Sequence, residues 1–450
     1  MLDSEALPLN ESPCIFQGNL LLEKRIDPKK KSFLCFQKYA HKISPELLAD
    51  ILSVSKRTIA QWEKNGKLSP IVHPATGKKQ YPLEQLLQFE AIRALIHSTW
   101  EQQQAIQPQG HFKSIELFAG AGGLALGLEQ AGFHGIAFNE IDRDAAHTLK
   151  TNRPHWNIIQ QDIRHLDFST WANPGETDLL SGGFPCQAFS YAGGKLGFED
   201  TRGTLFFEFA RAIQTLQPKI FLGENVRGLL THDRGQTLHT IQSILQDLGY
   251  ILIPPRVLKA IFYRVPQKRE RLFLIGIRQD LAPKVKFSWP DPYPQIFTVA
   301  DAFKAGDLYN TDVPESLGQV YPDRKREILA HVPAGGYWRD LPDTLQQEYM
   351  QGSYFLTGGK TGMARRLSWD EPSLTLTCSP AQKQTERCHP EHTRPLTVRE
   401  YARLQTFPDD WQFTGSLASQ YKQIGNAVPV NLARAIGTSL ITLCNQLSLT

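Results

Sequence analysis

"KSIELFAGAGGLALGLEQAGF", Lys113 to Phe133, runs from a short apolar strand through a glycine-rich turn into a helix. The spacing Gly120-x-Gly122-x-x-Ala125 fits the fingerprint of a turn that brings backbone and a helix N-terminus close to a nucleotide-type cofactor. Gly123 lies in the same turn. Glu140 follows 20 residues after Gly120, at the end of "GIAFNE", where a carboxylate can accept hydrogen bonds from ribose hydroxyls. Asp162 ends "NIIQQD" and is placed to accept from an adenine amino group. Further out come "TDLLSGG", "KIFLGENV" and "RLFLIGIR", separated by helix-length segments. This alternation predicts an α/β fold with a doubly wound, mostly parallel, Rossmann-like sheet. Ligands of such sheets bind beyond the carboxyl ends of the strands. The fingerprint by itself leaves NAD(P) and S-adenosylmethionine both open.

The 450 residues are 41% apolar and 21% charged, an ordinary composition for a soluble globular chain of two or three domains. No uninterrupted apolar run reaches membrane-spanning length, and "MLDSEALPLN" resembles neither a signal nor a transit peptide. The six cysteines are scattered without a CxxC pair, so no secreted disulfide framework is expected. A cytoplasmic protein without a membrane partner is the expectation. Net charge is +4, and residues 1–100 hold 14 Lys+Arg against 10 Asp+Glu, which points to a polyanion near the N-terminus.

Residues 1–40 show no period, whereas 41–97 read as a helical module. Ser44 is placed as an N-cap with Pro45 behind it, and Ser55 as a second N-cap after a three-residue break. Two short helices with a tight turn form a helix-turn-helix, whose second helix can enter a major groove. Lys56, Arg57, Thr58 and Gln61 are its expected DNA-reaching side chains. The segment resembles the winged helix-turn-helix of excisionase-like and mercury-regulator-like DNA-binding domains. Residues 98–111 read as a linker, and 112–285 as the cofactor-binding domain.

Cys186 follows the fourth strand in "GGFPCQAFS", between Pro185 and a glutamine. Packing, metal ligation and nucleophilic attack are its three readings. No Cys or His stands near it at ligand spacing, and "CHPEH" (388–392) matches no standard zinc pattern, so no metal is expected. "GENV" offers Glu224 and Asn225 at the same sheet edge, and "QKRER" offers Gln267, Arg269 and Arg271. With Glu270 between them, the two arginines should share one face of an extended segment. A thiol, a carboxylate and two guanidiniums suit attack on an electron-poor ring better than hydride transfer.

"FAGAGG", "GGFPCQAFS", "GENV", "QKRER", "RPLTVREYARLQTFPD" and "QIGNAVP", in that order, resemble the motif series of the C5-cytosine DNA methyltransferases. The resemblance covers 112–278 and 394–440. It implies S-adenosylmethionine as cofactor and a flipped cytosine attacked at C6 by Cys186. Glu224 would act at N3, with Arg271 and Arg269 at O2. It also implies a cofactor pocket of Phe118, Gly120, Gly122, Gly123, Glu140, Ile141, Asp162, Ile163, Pro185 and Asn426. Residues 286–393 would be a target-recognition domain, and 394–450 a return to the catalytic domain. Ser190, Arg365, Lys383, Gln384 and Arg387 would then meet DNA, with Arg366 as a further cation of that segment. The expected partner is double-stranded DNA with a short specific site. Its own promoter and a restriction endonuclease of the same specificity are further expected partners. An RNA cytosine methyltransferase and a DNA-binding regulator with an inactive methyltransferase domain are the alternatives.

Overall fold

The computed structural model describes residues 43–72, 77, 79–185, 205–358 and 360–449. Cys186 and Ser190 lie outside the described residues.

The N-terminal module opens with helices α1, Pro45–Leu52, and α2, Lys56–Lys64. The serine side chains cap both as their positions suggest: Ser44 Oγ accepts from the Leu47 N–H at 3.1 Å, and Ser55 Oγ from the Thr58 N–H at 3.0 Å. Between them Ser53 takes a left-handed conformation, φ 59°, which makes the tight turn. An antiparallel wing of Ile71–Val72 and Lys79–Gln80 and a helix Glu90–Ile96 complete the module.

The expected linker is a packed connection. Trp100 begins a short helix, Trp100–Gln104, and is 6% exposed against Tyr263 and Tyr293. One large aromatic in a glutamine-rich string is enough to anchor it, because burial of an indole offsets the entropy of ordering its neighbours.

The catalytic sheet has strands β1 Lys113–Leu117, β2 His134–Asn139, β3 Ile158–Ile159, β4 Leu179–Gly182, β5 Ile220–Val226, β6 Tyr250–Lys259 and β7 Glu270–Arg278. Their spatial order is β3-β2-β1-β4-β5-β7-β6. Only β7 runs against its neighbours, wedged antiparallel between β5 and β6. The order reverses direction between β1 and β4, so the crevice at their carboxyl ends is where ligands bind in such sheets. Those are the ends that carry the glycine turn and the Gly-Phe-Pro segment.

Both faces are covered, as the continuously apolar strands require. On one face α3, Gly123–Ala131, packs against α7, Val430–Ser448. A side chain on Gly127 would strike Ala433 and the α7 backbone, so glycine sets how closely the helices approach. The opposite face carries α4, Leu205–Leu216, and α5, Gln236–Asp247, whose Phe209, Ile213 and Ile241 meet Ile115, Leu180 and Phe221. The chain's C-terminal return is thus a layer of the catalytic domain. Its stretch Leu417–Ser448 is apolar enough to cross a membrane by composition, but 78% of its most apolar window is buried in the protein, as in a core helix.

Between β7 and the return, helices Asp323–Ala330 and Asp343–Met350 and several irregular turns gather around Tyr321, Trp338, Met350, Met363 and Cys388.

Candidate active site

The turn after β1 uses its glycines for different purposes. A Cβ on Gly122 would meet Leu149 and Trp411, and one on Gly123 would run into the carbonyl oxygen of Val428, in the returning "GNAVP" segment. Those two serve close packing. Gly120, at φ +54°, would meet nothing within 4 Å, so the space before it is open to a ligand. Phe118, just beneath, holds a left-handed conformation at φ +57°, and such strain in a non-glycine residue gathers at functional sites.

Glu140 binds this turn directly: Oε2 accepts from the Gly120 N–H at 2.7 Å, and Oε1 from the Asp142 N–H at 2.8 Å. Burial pushes its carboxyl up, against the pull of those bonds. Each oxygen keeps a lone pair for a hydroxyl. Next to it Ile141 is 63% exposed, an apolar side chain left without protein cover. Asp162 is held down at about 2 by the Arg164 side chain and N–H, and Ile163 behind it is buried. Asn426 is exposed at the end of α6, Leu417–Asn426, where its Oδ1 accepts from the Cys378 thiol at 3.4 Å.

The second half of the site stands on β5 and β7. Glu224 pairs in register with Phe273, which puts Arg271 two residues along on the same face. The Arg271 Nε lies 2.7 Å from Glu224 Oε1, with both side chains almost buried. Burial pushes the Glu224 carboxyl up, while Arg271 and then Arg269 pull it back part of the way. A side chain on Gly183 would fall 2.7 Å from Glu224 Oε2, so a glycine at the end of β4 admits the carboxylate. Asn225 Nδ2 donates to the Phe184 carbonyl at 2.9 Å. "GENV" therefore presents an acid with one residue and holds the backbone leading to Pro185 and Cys186 with the next.

Arg269 and Arg271 line one groove, as their alternation suggests, but differ in environment. Arg269 is 1% exposed and donates to the carbonyls of Leu376, Gly425 and Asn426. Burial, helped by Arg271, lowers its guanidinium to about 9. Its Nε is buried without a partner among the described residues. Gln267 is structural: its amide bonds Leu404, Gln405 and Leu376.

The expected DNA contacts divide. Lys56, Arg57 and Gln61 are exposed on α2, while Thr58 is half-buried in the Ser55 cap. Gln384 is exposed; Lys383 and Arg365 are half-buried near the Tyr349 and Tyr337 rings. Arg387, expected at DNA, is instead 4% exposed and donates to the carbonyls of Glu386 and Thr375. Arg366 is equally buried and bonds the carbonyls of Val332, Leu329 and His389. In "CHPEH", His389 Nδ1 accepts from two backbone N–H groups, of Glu391 and His392. Burial holds that ring at about 4, so its approach to Glu400 at 3.7 Å is a contact of a neutral imidazole.

Glu116 is not among the expected site residues, yet it is 3% exposed inside β1, beneath the glycine turn, and accepts from the Ser181 hydroxyl at 3.3 Å. A charged residue within a five-residue strand buried on both faces was the available signal.

The family model "C-5 cytosine-specific DNA methylase" matches residues 112–442, and "MerR HTH family regulatory protein" matches 44–99. The chain is 60% identical to the Type II methyltransferase M.PspPI of Psychrobacter sp. over 89% of its own length and 96% of the relative's. For the Type II methyltransferase M.Eco47II of Escherichia coli the figures are 59%, 89% and 95%. A crystal structure of a prophage-encoded DNA modification methyltransferase from E. coli superposes with a TM-score of 0.54 at 28% identity, covering 74% of this chain and 99% of that one. With an α/β sheet of methyltransferase type and a MerR-type helix-turn-helix ahead of it, the chain belongs to the C-5 cytosine-specific DNA methylases.

Proposed function

We propose that this chain flips a cytosine out of a short specific site in duplex DNA and methylates its C5 through a covalent adduct with Cys186. The observation that carries the reading is the Glu224–Arg271 pair, set at the strand ends beside the glycine turn. S-adenosylmethionine fits the other side of that edge. Gly120 leaves room at the turn, Glu140 offers acceptors for ribose hydroxyls, Asp162 one for an adenine amino group, and Ile141 an apolar surface for a ring. When bound, it supplies an electrophilic methyl.

The chain's residues do the remaining work. Cytosine C5 is a weak nucleophile until electrons are pushed into the ring. The Cys186 thiolate forms a bond to C6, and the C5=C6 π electrons move toward N3 and O2. Glu224, whose raised pKa favours the protonated form, donates its proton at N3. Arg271, fixed by Glu224, is placed to donate to O2, stabilising charge in a site shielded from water. C5, made nucleophilic by these residues, would then take the methyl that bound S-adenosylmethionine supplies, the methyl–sulfur bond breaking with its electron pair left on sulfur. Loss of the C5 proton to solvent re-forms the double bond, expels the Cys186 thiolate and returns the Glu224 proton. A stacked base cannot reach such a pocket, so the cytosine must leave the helix. Asn225 holds the Phe184 carbonyl two residues ahead of Cys186 in the sequence, and this supports the reading of Cys186 as the nucleophile.

The type II names of the 60% and 59% relatives support a protective role beside a restriction endonuclease of the same specificity, acting on cytoplasmic DNA. The MerR-type match supports binding to the enzyme's own promoter as autoregulation. Cys186→Ser should abolish methyl transfer from labelled S-adenosylmethionine to duplex DNA while leaving cofactor affinity within about threefold, as expected when only the nucleophile is lost. Normal turnover by the variant would overturn the assignment.

A further inference from the structure

We propose that the N-terminal module forms one wall of the catalytic DNA groove, and that α2 contacts backbone phosphates of the same duplex that delivers the target cytosine. This rests on the DNA methyltransferase reading and adds a second DNA contact to it.

The module is fused to the catalytic domain rather than tethered to it. Ile261 and Ile296, both from the catalytic side, are 3% and 0% exposed within the module's own apolar core. The connection behind it is pinned as well: Thr99 donates through its hydroxyl to Asp291 at 2.6 Å, and the Asp291 N–H donates to Gln103 at 2.8 Å. At the other end of α1 the join is ionic. Asp50 pairs with Lys268 at 2.6 Å, and Lys268 also pairs with Glu371 at 3.0 Å. Lys259 donates to the Asp50 carbonyl at 2.9 Å. Lys268 is the residue immediately before Arg269, so the strand presenting Arg269 and Arg271 is clasped by the module on one side and the recognition segment on the other.

Between the module and that strand lies a groove of about 450 Å³. Asp50, Ser53 and Val54 line one side, and Arg227, Lys259 and Arg271 the other. Counting Lys268 and Arg269, five cations line it against two carboxylates, Asp50 and Glu270. Each carboxylate is engaged, Asp50 with Lys268 and Glu270 with Arg227 at 2.8 Å, while Glu371 and Glu224 pair with Lys268 and Arg271 from outside the lining, so the positive excess that favours a polyanion rests on Lys259 and Arg269. The groove reaches Arg271, the partner of Glu224, where a flipped cytosine must arrive. It also ends at Val54, two residues before exposed Lys56 and three before exposed Arg57. Lys56 pairs only at the surface, with Glu46 at 3.1 Å, a contact that phosphate can replace at little cost. The basic lining therefore continues onto the first turn of α2. A phosphate backbone along it would touch catalytic domain and module together.

The test is the salt dependence of methylation by the full chain, with plasmid DNA carrying the site mapped by bisulfite sequencing. K56A/R57A removes two exposed cations, so the fold is retained. If both contact phosphates, the slope of log KM against log salt falls by about two. The wild-type advantage in KM then shrinks roughly tenfold between 50 and 200 mM salt, with the loss carried by KM rather than kcat. Unchanged KM and slope, with promoter binding weakened, would overturn the proposal in favour of a separate promoter site. Absence of methyl transfer to any duplex by the wild-type chain would instead remove the reading beneath it.

Discussion

At the carboxyl ends of β4 and β5 and the amino end of the antiparallel β7, charged groups meet one another across a crevice: Glu224 faces Arg271, and Gly183 has no side chain to intervene. In the segment 286–393, Arg366 and Arg387 face backbone carbonyls instead. The sheet edge owes its geometry to strands whose register is set by ladder hydrogen bonds, leaving its side chains free for chemistry. That segment has few ladders, so its buried carbonyls need other donors, and a planar guanidinium with five N–H groups supplies several at once. An arginine in an ordered strand and one in an irregular loop thus serve different ends.

The difference can be broken most forcefully at the sheet edge. Glu224→Ala should fold and lose about 10²- to 10⁴-fold in kcat, the usual worth of a positioned acid. Arg269→Ala should behave unlike it. It strips the donors from Leu376, Gly425 and Asn426, and should lower the denaturant midpoint as well as activity. Equal stability of both variants would place Arg269 with the chemistry alone.

A middle-sized effect is expected in the segment 286–393. Arg366→Ala leaves the carbonyls of Val332, Leu329 and His389 without their donor and should cost about 3 kcal/mol or more. Lys383→Ala, beside the Tyr349 ring, should stay within about 0.5 kcal/mol. Urea unfolding of the two proteins makes the comparison. A stable Arg366→Ala with altered site preference would return that arginine to the DNA.

Much of the sheet edge could be read from letters, because its residues follow strands at fixed offsets. Gly120 with Glu140, and Glu224 with Asn225, are local patterns tied to one backbone geometry. The fate of Arg387 was not legible, since the same residue in a Gly- and Pro-rich stretch serves a phosphate or a carbonyl equally well. Nor was the docking of the module: Asp50 and Lys268 meet across more than two hundred residues, and neither has a local reason to seek the other. Trp100 lay in a string whose glutamines outweighed it. Glu116 was absorbed into an apolar strand by its neighbours.

Glu116 gives the smallest test and the sharpest one of what burial does at this edge. Burial, aided by the nearby charges of Glu224 and Glu140, pushes its carboxyl up to about 8, although the Ser181 hydroxyl and the Ala125 N–H pull the other way. A carboxyl whose folded pKa exceeds its unfolded value, near 4.5, contributes its full stability below that value. The contribution is lost as pH rises toward the folded pKa, because the unfolded chain ionises freely and the buried group cannot. Glu116→Gln keeps the shape, accepts from Ser181 through its amide oxygen and carries no proton to lose. Wild type should therefore lose up to a few kcal/mol relative to the variant between about pH 5 and pH 8, with little further change above. Parallel urea titrations of both proteins across that range read the difference directly. A constant difference would mean that Glu116 ionises as it would in water, and that the floor of the glycine turn is wetter than its burial indicates.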